Sequence, residues 1–369
     1  MVIDANVLEI DLGIIKKNVE ILRSLSNKKF FAVVKANAYG LGAVEISKFI
    51  EDNVDMFCVA NINEAIELRK SGIKKDILIL GYIHPKNYKY LNEYNIIVNI
   101  YDFEIAKEMN KLGKTIRGHI KIETGHNRLG FKPTEDNFDI IRQIDSLENI
   151  NIEGMFSHLS SADEADREYT YLQYDKFQKA VDGLSDINAN WIKHISNDAG
   201  LLAYDVKYDG FRSGISLYGM YPSQYMKEKY NVGIENSFRL ISSISFIKEL
   251  EKGEGVSYNH TFIAEKKMKI ATVSIGYADG YFRIVSNKGF VLINGKKAKI
   301  LGRVTMDQLM VDISDIEAKL HDEVVLIGKS GEEYISPDLI AKWANTISYE
   351  IMTSISNRVY RVYKNKEKN

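Results

Sequence analysis

Three basic residues stand at the ends of apolar runs in the first two thirds of the sequence. Lys35 follows the run FFAVV, Arg128 lies in a polar segment after another run, and Arg212 opens a later one. A buried cation costs free energy unless an anionic ligand or hydrogen bonds compensate it. A lysine removed from water has a lowered pKa, which makes its amine a nucleophile toward carbonyl groups. Lys35 is therefore either a strand-end lysine that reaches solvent or the nucleophile of an active site.

The elements that must position these residues are predicted by the apolar runs themselves. Eight such runs lie at residues 30–34, 56–60, 77–82, 96–101, 116–122, 152–158, 191–196 and 211–219. Near-continuous apolar runs with β-branched residues suit parallel strands that are buried on both faces. Helix-like segments separate them, and eight such units predict a (β/α)8 TIM barrel. A doubly wound sheet is the alternative, but no GxGxxG follows the first run.

The pattern changes near residue 235. The later segments alternate apolar and polar residues, and GEG, NG and ADG provide turn signals between them. One helix is predicted at 336–347. The fold class is therefore α/β, with a barrel over residues 1–235 and a mostly antiparallel β domain over residues 236–369.

Composition excludes several classes of function. The chain has 369 residues with 49 basic and 50 acidic side chains, so no basic field favours nucleic acid. The single Cys58 excludes an intrachain disulfide and a CxxC metal site. No signal peptide and no apolar run long enough to span a membrane are apparent. We expect a cytoplasmic protein without membrane contact, either freestanding or the cytoplasmic domain of a longer membrane-anchored protein.

The histidines show no pattern that is typical of a metal site. His84, His119, His126, His260 and His321 lack HxH or HExxH spacing. They are expected to be solvated or packed, and we predict no metal.

In a barrel of this kind, functional side chains lie at the carboxyl ends of the strands. The polar or basic residues at those positions are Lys35, Lys121, Arg128, His158, Asn197 and Arg212. Glycine- and serine-rich turns at 196–198 and 212–216 follow the last two runs, where phosphate sites commonly form. A reactive lysine, a phosphate site and a partner for a ring nitrogen are what pyridoxal phosphate requires. We therefore predict pyridoxal phosphate as the cofactor.

The segment VVKANAYGLG resembles the cofactor-lysine signature of the alanine racemase family of pyridoxal-phosphate enzymes. Further segments match the family in order and spacing: KIETGHNRLGF, GMFSHLSSADE, HISNDAG, FRSGISLYGMYPS, GVSYNHTF, IGYADGY, GRVTMDQ and SISNRV. The resemblance covers almost the whole chain. It implies a barrel followed by a β domain, and a head-to-tail homodimer with shared active sites.

The resemblance also implies roles for individual residues. Lys35 binds the cofactor covalently and is one catalytic base, and Tyr258, contributed by the partner subunit, is the other. The residues that hold the cofactor are Lys35, Tyr39, His158, Asn197, Arg212, Gly214 and Ile215, with Arg212 on the pyridine nitrogen. The residues that bind substrate are Arg128, Tyr277, Met306 from the partner, and Asn357. Lys121 matches a lysine that is often carbamylated in this family.

Four positions depart from the family pattern. They are Leu41 for a histidine, Asp198 for a phosphate-binding serine, Thr305 for a cysteine, and Asn357 for a tyrosine. The changes at Leu41 and Thr305 are expected to be tolerated. A carboxylate repels a dianionic phosphate, so we expect Asp198 either to turn its side chain away or to bind only through its backbone N–H.

Asn357 bears on the substrate. Replacing a tyrosine with asparagine removes an aromatic wall and supplies a donor and an acceptor for a hydroxyl. The same replacement resembles the serine racemase half of membrane-bound racemases linked to vancomycin resistance. We therefore predict a racemase for serine and alanine, with serine activity favoured by Asn357. An alanine-specific racemase that supplies D-alanine to the cell wall is the alternative.

Three other classes of function are alternatives to an amino-acid racemase. A decarboxylase of basic amino acids uses an acidic partner on the ring nitrogen, which Arg212 disfavours. A non-catalytic pyridoxal-phosphate-binding protein lacks the second domain, and the residues after 235, with Tyr258 among them, disfavour that alternative. A structural scaffold is the third.

Overall fold

The computed structural model describes residues 6–366, which form two compact units. The barrel unit comprises Ile14–Ala38 and Ala43–Asn236. The β unit comprises residues 6–13, Tyr39–Gly42 and residues 237–366.

The first strand of the chain, β1 (Val7–Asp11), belongs to the β unit. It pairs antiparallel with the strand that contains Ile241 and parallel with the strand that contains Tyr360. We predicted residues 1–235 as one domain, but β1 lies in a sheet with the later part of the chain. Its partners are more than two hundred residues away in sequence, so no local pattern could indicate them.

The barrel unit is built on eight parallel strands. They are β2 (Lys29–Val33), β3 (Met56–Val59), β4 (Asp76–Ile79), β5 (Val98–Ile100), β6 (Ile116–Lys121), β7 (Ile150–Phe156), β8 (Ile192–His194) and β9 (Gly210–Ser213). Their order is β4-β3-β2-β9-β8-β7-β6-β5, and a parallel bridge from Leu78 to Ile97 closes the ring. The predicted barrel is confirmed. In the last predicted run, residues Ile215–Tyr218 form a 3-10 helix and do not continue the strand.

Helices follow most of these strands, as in a TIM barrel. The helices in the first 236 residues are Leu12–Ser24, Ala43–Ile50, Ile62–Lys70, Lys89–Glu93, Phe103–Asn110, Glu135–Asp145, Glu168–Gly183, Asp198–Ala203 and Gln224–Lys229. Their starts are stabilised by side-chain caps such as Asn61, which accepts from the backbone N–H of Glu64 at 3.1 Å. The fully buried rings of Phe30, Phe31 and Phe211 lie on neighbouring strands of the barrel. The apolar runs therefore form the core, and the strand ends are left for polar residues.

The β unit is mostly antiparallel, as predicted. Its later strands are β10 (Phe238–Leu250), β11 (Gly255–Val256), β12 (Phe262–Ile263), β13 (Met268–Val273), β14 (Phe290–Ile293), β15 (Lys296–Leu301), β16 (Leu309–Asp312), β17 (Glu323–Ser330), β18 (Glu333–Ile335) and β19 (Tyr360–Lys364). Strands β10, β13, β16, β15, β14 and β17 pair in a closed antiparallel ring. The helix predicted at 336–347 is Pro337–Ala344, capped by Ser336, and a second helix is Ser348–Thr353.

Within residues 6–366, no helix combines the length and the apolar character needed to cross a membrane.

Candidate active site

Lys35 directly follows β2, the first strand of the barrel, where the chain enters a left-handed turn. Ala36, Asn37 and Ala38 have φ between 52° and 55°. This conformation costs an L-residue about 1–2 kcal/mol, so other contacts must hold it. The backbone N–H of Ala36 donates to Glu64 Oε1 at 2.9 Å, and Asn37 Oδ1 accepts from the backbone N–H of Ala43 at 2.8 Å. The turn is thus fixed by hydrogen bonds of the two residues that directly follow the lysine.

The amine of Lys35 lies in a positively charged and partly buried environment. Burial lowers the pKa of Lys35, and the nearby Arg128 and Arg212 lower it further, while Glu64 opposes them. Cys58, at the end of the next strand, is fully buried, and burial raises the pKa of its thiol to about 12. Lys35 is therefore the reactive nucleophile of the pair and Cys58 is not.

Arg212 is buried and donates to neutral acceptors. Its Nη2 donates to the carbonyl oxygens of Ser157 at 2.7 Å and Ile195 at 3.1 Å, and lies 3.4 Å from Nδ1 of His158. Its Nη1 lies 2.7 Å from Nδ1 of His194. Burial lowers the pKa of Arg212 to about 10. The guanidinium is held in place by carbonyls and imidazoles, so its charge remains available to a ligand.

A buried pair of histidines lies behind Arg212. Nε2 of His194 is 2.9 Å from Nδ1 of His119, and the ring of His194 stacks on Phe156 at 5.0 Å. Burial lowers the pKa of His119 to about 3 and holds that of His194 well below its ordinary range. Neither residue was predicted to have a role in the site, and His119 is packed, as expected. The pair became apparent only because β6 and β8 bring the rings together across β7.

Lys121 ends β6 with its amine almost fully buried. The amine lies 4.6 Å from the centre of the Phe156 ring. Burial holds the pKa of Lys121 well below its ordinary value, and the charges of Arg212 and Arg128 lower it further. The loop that carries Arg128 is shaped by Glu123, whose carboxylate accepts from the backbone N–H of Arg128 at 3.3 Å.

The turns after β8 and β9 form a cradle of hydrogen-bond donors. Asn197 caps the helix Asp198–Ala203 by accepting from the backbone N–H of Gly200 at 2.9 Å. The carboxylate of Asp198 accepts from the backbone N–H of Gly214 at 2.9 Å and from the hydroxyl of Ser213. The side chain of Asp198 is buried against the loop of β9.

The remaining predicted residues lie in the β unit. Tyr39 is buried and packs on Tyr349 at 5.9 Å between ring centres. Tyr258 and Met306 are 66% and 52% exposed, and Tyr277 is exposed as well. Backbone bonds join Tyr277 N to Thr305 O at 3.0 Å and Ala278 N to Met306 O at 2.9 Å.

Asn357 lies on an exposed turn that is tied to the same loops. The neighbouring Arg358 pairs with Asp307 at 2.8 Å and with Asp279 at 3.4 Å. The backbone N–H of Ser356 donates to the carbonyl of Asp279 at 3.1 Å. The structure therefore brings Tyr277, Met306 and Asn357 together within the β unit, and Lys35, Lys121, Arg128, His158, Asn197 and Arg212 together within the barrel unit.

Family models and curated relatives agree along the whole length of the chain. Residues 10–222 match the alanine racemase N-terminal domain, and residues 237–363 match the alanine racemase C-terminal domain. An alanine racemase of Halothermothrix orenii is 41% identical over 368 residues, which is 97% of this chain and 96% of that protein. One of Clostridium perfringens (strain SM101) is 43% identical over 365 residues, 96% of this chain and 94% of that protein. The chain belongs to the alanine racemase family.

Solved structures of alanine racemases share the fold. That of Clostridium difficile 630 has a TM-score of 0.93 at 39% identity and covers 100% of this chain and 98% of its own. The crystal structure of the Bacillus anthracis alanine racemase with bound L-Ala-P has a TM-score of 0.95 at 33% identity, covering 100% and 97%. The alanine racemase family depends on pyridoxal phosphate, and this member is an amino-acid racemase.

The barrel end of this alanine racemase family member fits pyridoxal phosphate. Lys35 offers an amine of lowered pKa to an aldehyde, and Arg212 offers a buried donor to a ring nitrogen. The loop that begins at Ser213 already binds an anionic group, the carboxylate of Asp198, through its N–H and hydroxyl donors. Among the described residues, no group of three or more His, Cys, Asp or Glu side chains is arranged to hold a metal ion.

Proposed function

We propose that this racemase interconverts the L- and D-forms of serine and of alanine, with Lys35 and Tyr258 as its two bases. The observation that carries the proposal is the amine of Lys35 at the barrel end, whose pKa is lowered by burial and by Arg128 and Arg212. A group that takes a proton from carbon at neutral pH works best when its pKa lies near that pH. An ordinary lysine is protonated there and cannot act as a base.

Pyridoxal phosphate, when bound, withdraws electrons from the α-carbon of the substrate and so acidifies its proton. Nζ of Lys35 exchanges a proton with one face of that carbon, and Oη of Tyr258 exchanges a proton with the opposite face. Two bases on opposite faces avoid the relocation that a single base would need between removing and returning the proton. Arg128 receives the substrate carboxylate, because a guanidinium matches a carboxylate with two donors.

With the cofactor bound, Arg212 would donate to its ring nitrogen and so keep that nitrogen unprotonated. A guanidinium donates hydrogen bonds but does not accept them, so a nitrogen in contact with it has to accept. The carbonyls of Ser157 and Ile195 and the rings of His194 and His158 support Arg212 in this role. An unprotonated ring nitrogen would limit the spread of negative charge into the cofactor ring and so disfavour transamination.

The second base is supplied by another copy of the chain. Tyr258 and Met306 are large side chains that are more than half exposed in one copy. A homodimer in which each copy covers these residues with the barrel end of the other explains that exposure, and two-fold symmetry then completes two equal sites.

Serine activity is supported by Asn357. Its side chain is exposed on the turn that Arg358 ties to the Tyr277 and Met306 loops. An amide there offers a donor and an acceptor to the hydroxyl of serine, whereas alanine has only a methyl group to place. The curated relatives named above bear the name alanine racemase, which favours alanine as the second substrate.

The test is a paired assay of racemisation with L-serine and L-alanine as substrates. The proposal expects kcat/KM values for the two that differ by less than about a hundredfold, the range that a single small group in a pocket accounts for. If kcat/KM for alanine is about a thousandfold larger than kcat/KM for serine, only the alanine-specific alternative remains. Loss of racemisation in Lys35→Ala together with retention in Tyr258→Phe would instead remove Tyr258 from the mechanism.

A further inference from the structure

The side chain of Asp198 is a buried carboxylate in the turn where an anionic ligand is expected. It is 6% exposed and starts the helix that follows β8. Its Oδ2 accepts from the backbone N–H of Gly214 at 2.9 Å, and its Oδ1 accepts from the hydroxyl of Ser213. A carboxylate can be buried only when such donors compensate the loss of water.

The groups that face this carboxylate are uncharged. They are the hydroxyl of Ser213 and the backbone N–H of Gly214 at the end of β9, which donate to it, and Ser216 in the short 3-10 helix that follows. Burial raises the pKa of Asp198, and these hydrogen bonds lower it in part. No basic side chain of the described residues forms an ion pair with Asp198.

The N–H of Gly214 also lies in the turn at 212–216, which the sequence predicts as the site of the cofactor phosphate. One N–H group makes a strong hydrogen bond to only one acceptor at a time. An ionised carboxylate and a dianionic phosphate a few ångströms apart also repel each other strongly where water is excluded. Binding of the phosphate at Gly214 therefore requires that Asp198 gives up this hydrogen bond.

We propose that Asp198 competes with the phosphate group of pyridoxal phosphate for the backbone N–H of Gly214. As a result, the chain binds its cofactor less tightly than the same chain with a neutral residue at position 198 would. The inference rests on the proposed function, because it takes Gly214 and Ile215 as the phosphate site. It predicts that the effect of Asp198 depends on the phosphate and not on the rest of the cofactor.

The experiment measures dissociation constants of the full chain, freed of cofactor, for pyridoxal phosphate and for pyridoxal, which lacks the phosphate. Titrations follow the visible absorbance of the cofactor bound to Lys35, in mildly alkaline buffer, which favours the ionised form of the carboxyl. Asp198→Asn keeps the size of the side chain and removes its charge. We expect Asp198→Asn to bind pyridoxal phosphate on the order of tenfold more tightly, from the loss of one like-charge repulsion in a buried site, with pyridoxal binding unchanged.

Asp102→Asn is the matched control. Asp102 is an exposed aspartate that caps the helix Phe103–Asn110 by accepting from the backbone N–H of Ile105 at 3.1 Å. Asparagine is an equally good cap, so both affinities should stay as in the parent chain. A second variant, Asp198→Ser, removes the carboxylate while keeping a hydroxyl, and it should also tighten pyridoxal phosphate binding.

Two results would overturn the inference while leaving the proposed function intact. One is unchanged or weaker binding of pyridoxal phosphate in both Asp198 variants, which would make the carboxylate a support of the loop. The other is an equal change for pyridoxal phosphate and pyridoxal. If the parent chain forms no borohydride-trapped adduct at Lys35, judged against Lys35→Ala, the proposed function itself fails and this inference fails with it.

Discussion

Nη1 of Arg212 lies 2.7 Å from Nδ1 of His194 in the interior of the barrel. Arginine only donates, so Nδ1 of His194 must accept and its proton resides on Nε2. That Nε2 lies 2.9 Å from Nδ1 of His119, which accepts in turn. Both imidazoles are therefore neutral, and their tautomers are set by Arg212. Protonating either ring would place a second cation beside a buried guanidinium.

This relationship predicts that the fold loses stability in mild acid. The unfolded chain protonates a histidine near pH 6.5, whereas burial lowers the pKa of His119 to about 3 in the folded chain. Unfolding therefore takes up a proton between these values, and the free energy of unfolding falls by about 1.4 kcal/mol per pH unit for each such histidine as the pH falls through that interval.

Urea titrations at several pH values measure the effect. His119→Asn keeps an acceptor for Nε2 of His194 and cannot be protonated, so it should show a shallower loss of stability in acid than the parent chain. His84→Asn, a change at an exposed histidine, should keep the parent slope. If His119→Asn lost stability in acid with the same slope as the parent chain, His119 and His194 would not be the neutral pair described above.

A second prediction concerns the origin of Tyr258. Lys35→Ala and Tyr258→Phe are each expected to be inactive alone. If Tyr258 serves the site of the partner, a mixture of the two variants after subunit exchange forms hybrid dimers with one intact site and one site that lacks both bases. An equal mixture should recover about a quarter of the parent activity, because half of the dimers are hybrid and each hybrid has one working site.

A mixture of Lys35→Ala with Lys35→Gln is the control, since no exchange between them restores Lys35. Activity in the Lys35→Ala and Tyr258→Phe mixture that stays at the level of the separate variants would mean that one chain supplies both bases.

Asn357 carries the third prediction. In the proposed site, Asn357→Tyr would fill the space beside the substrate side chain and remove the amide, so the ratio of kcat/KM for alanine over serine should rise by about tenfold or more. Asn190→Tyr places the same ring on an exposed turn before β8, at the opposite end of the strand from the proposed site, and should leave the ratio unchanged. An unchanged ratio in Asn357→Tyr would remove this residue from substrate selection.

Local sequence patterns were sufficient for the barrel and for the residues at its strand ends. The apolar runs located the eight strands, and Lys35, Lys121 and Arg212 follow from where those runs end or begin. The backbone after Lys35 could not be predicted in this way, because alanines favour the right-handed region while Ala36 and Ala38 are left-handed.

Contacts between residues that are distant in sequence account for the rest. The pairing of β1 with β10 and β19 depends on residues at the far end of the chain. For Asp198 the sequence left open whether its side chain turns away from the phosphate or only its backbone N–H is used, and only the position of the β9 loop reveals that its carboxylate accepts from the N–H of Gly214. His194 lies in one of the segments that match the family, and in the barrel it is adjacent to the turn that contains Arg212. That adjacency was the signal from which a role for His194 could have been predicted.

Lys121 leads to the last prediction, that its amine reacts with carbon dioxide. Burial, Arg212 and Arg128 hold the pKa of this amine well below its ordinary value, which favours its neutral form. A neutral amine attacks carbon dioxide, forming an N–C bond and releasing a proton, and the resulting carbamate carries a negative charge that the two arginines stabilise.

With carbon-13 bicarbonate, the chain should show one carbamate resonance in NMR spectra that is absent from Lys121→Gln. Lys193→Gln, which removes a lysine hydrogen-bonded to the carbonyl of Asn188 at 2.8 Å, should retain it. A resonance that persists in Lys121→Gln, or none in the parent chain, would show that Lys121 remains an unmodified amine.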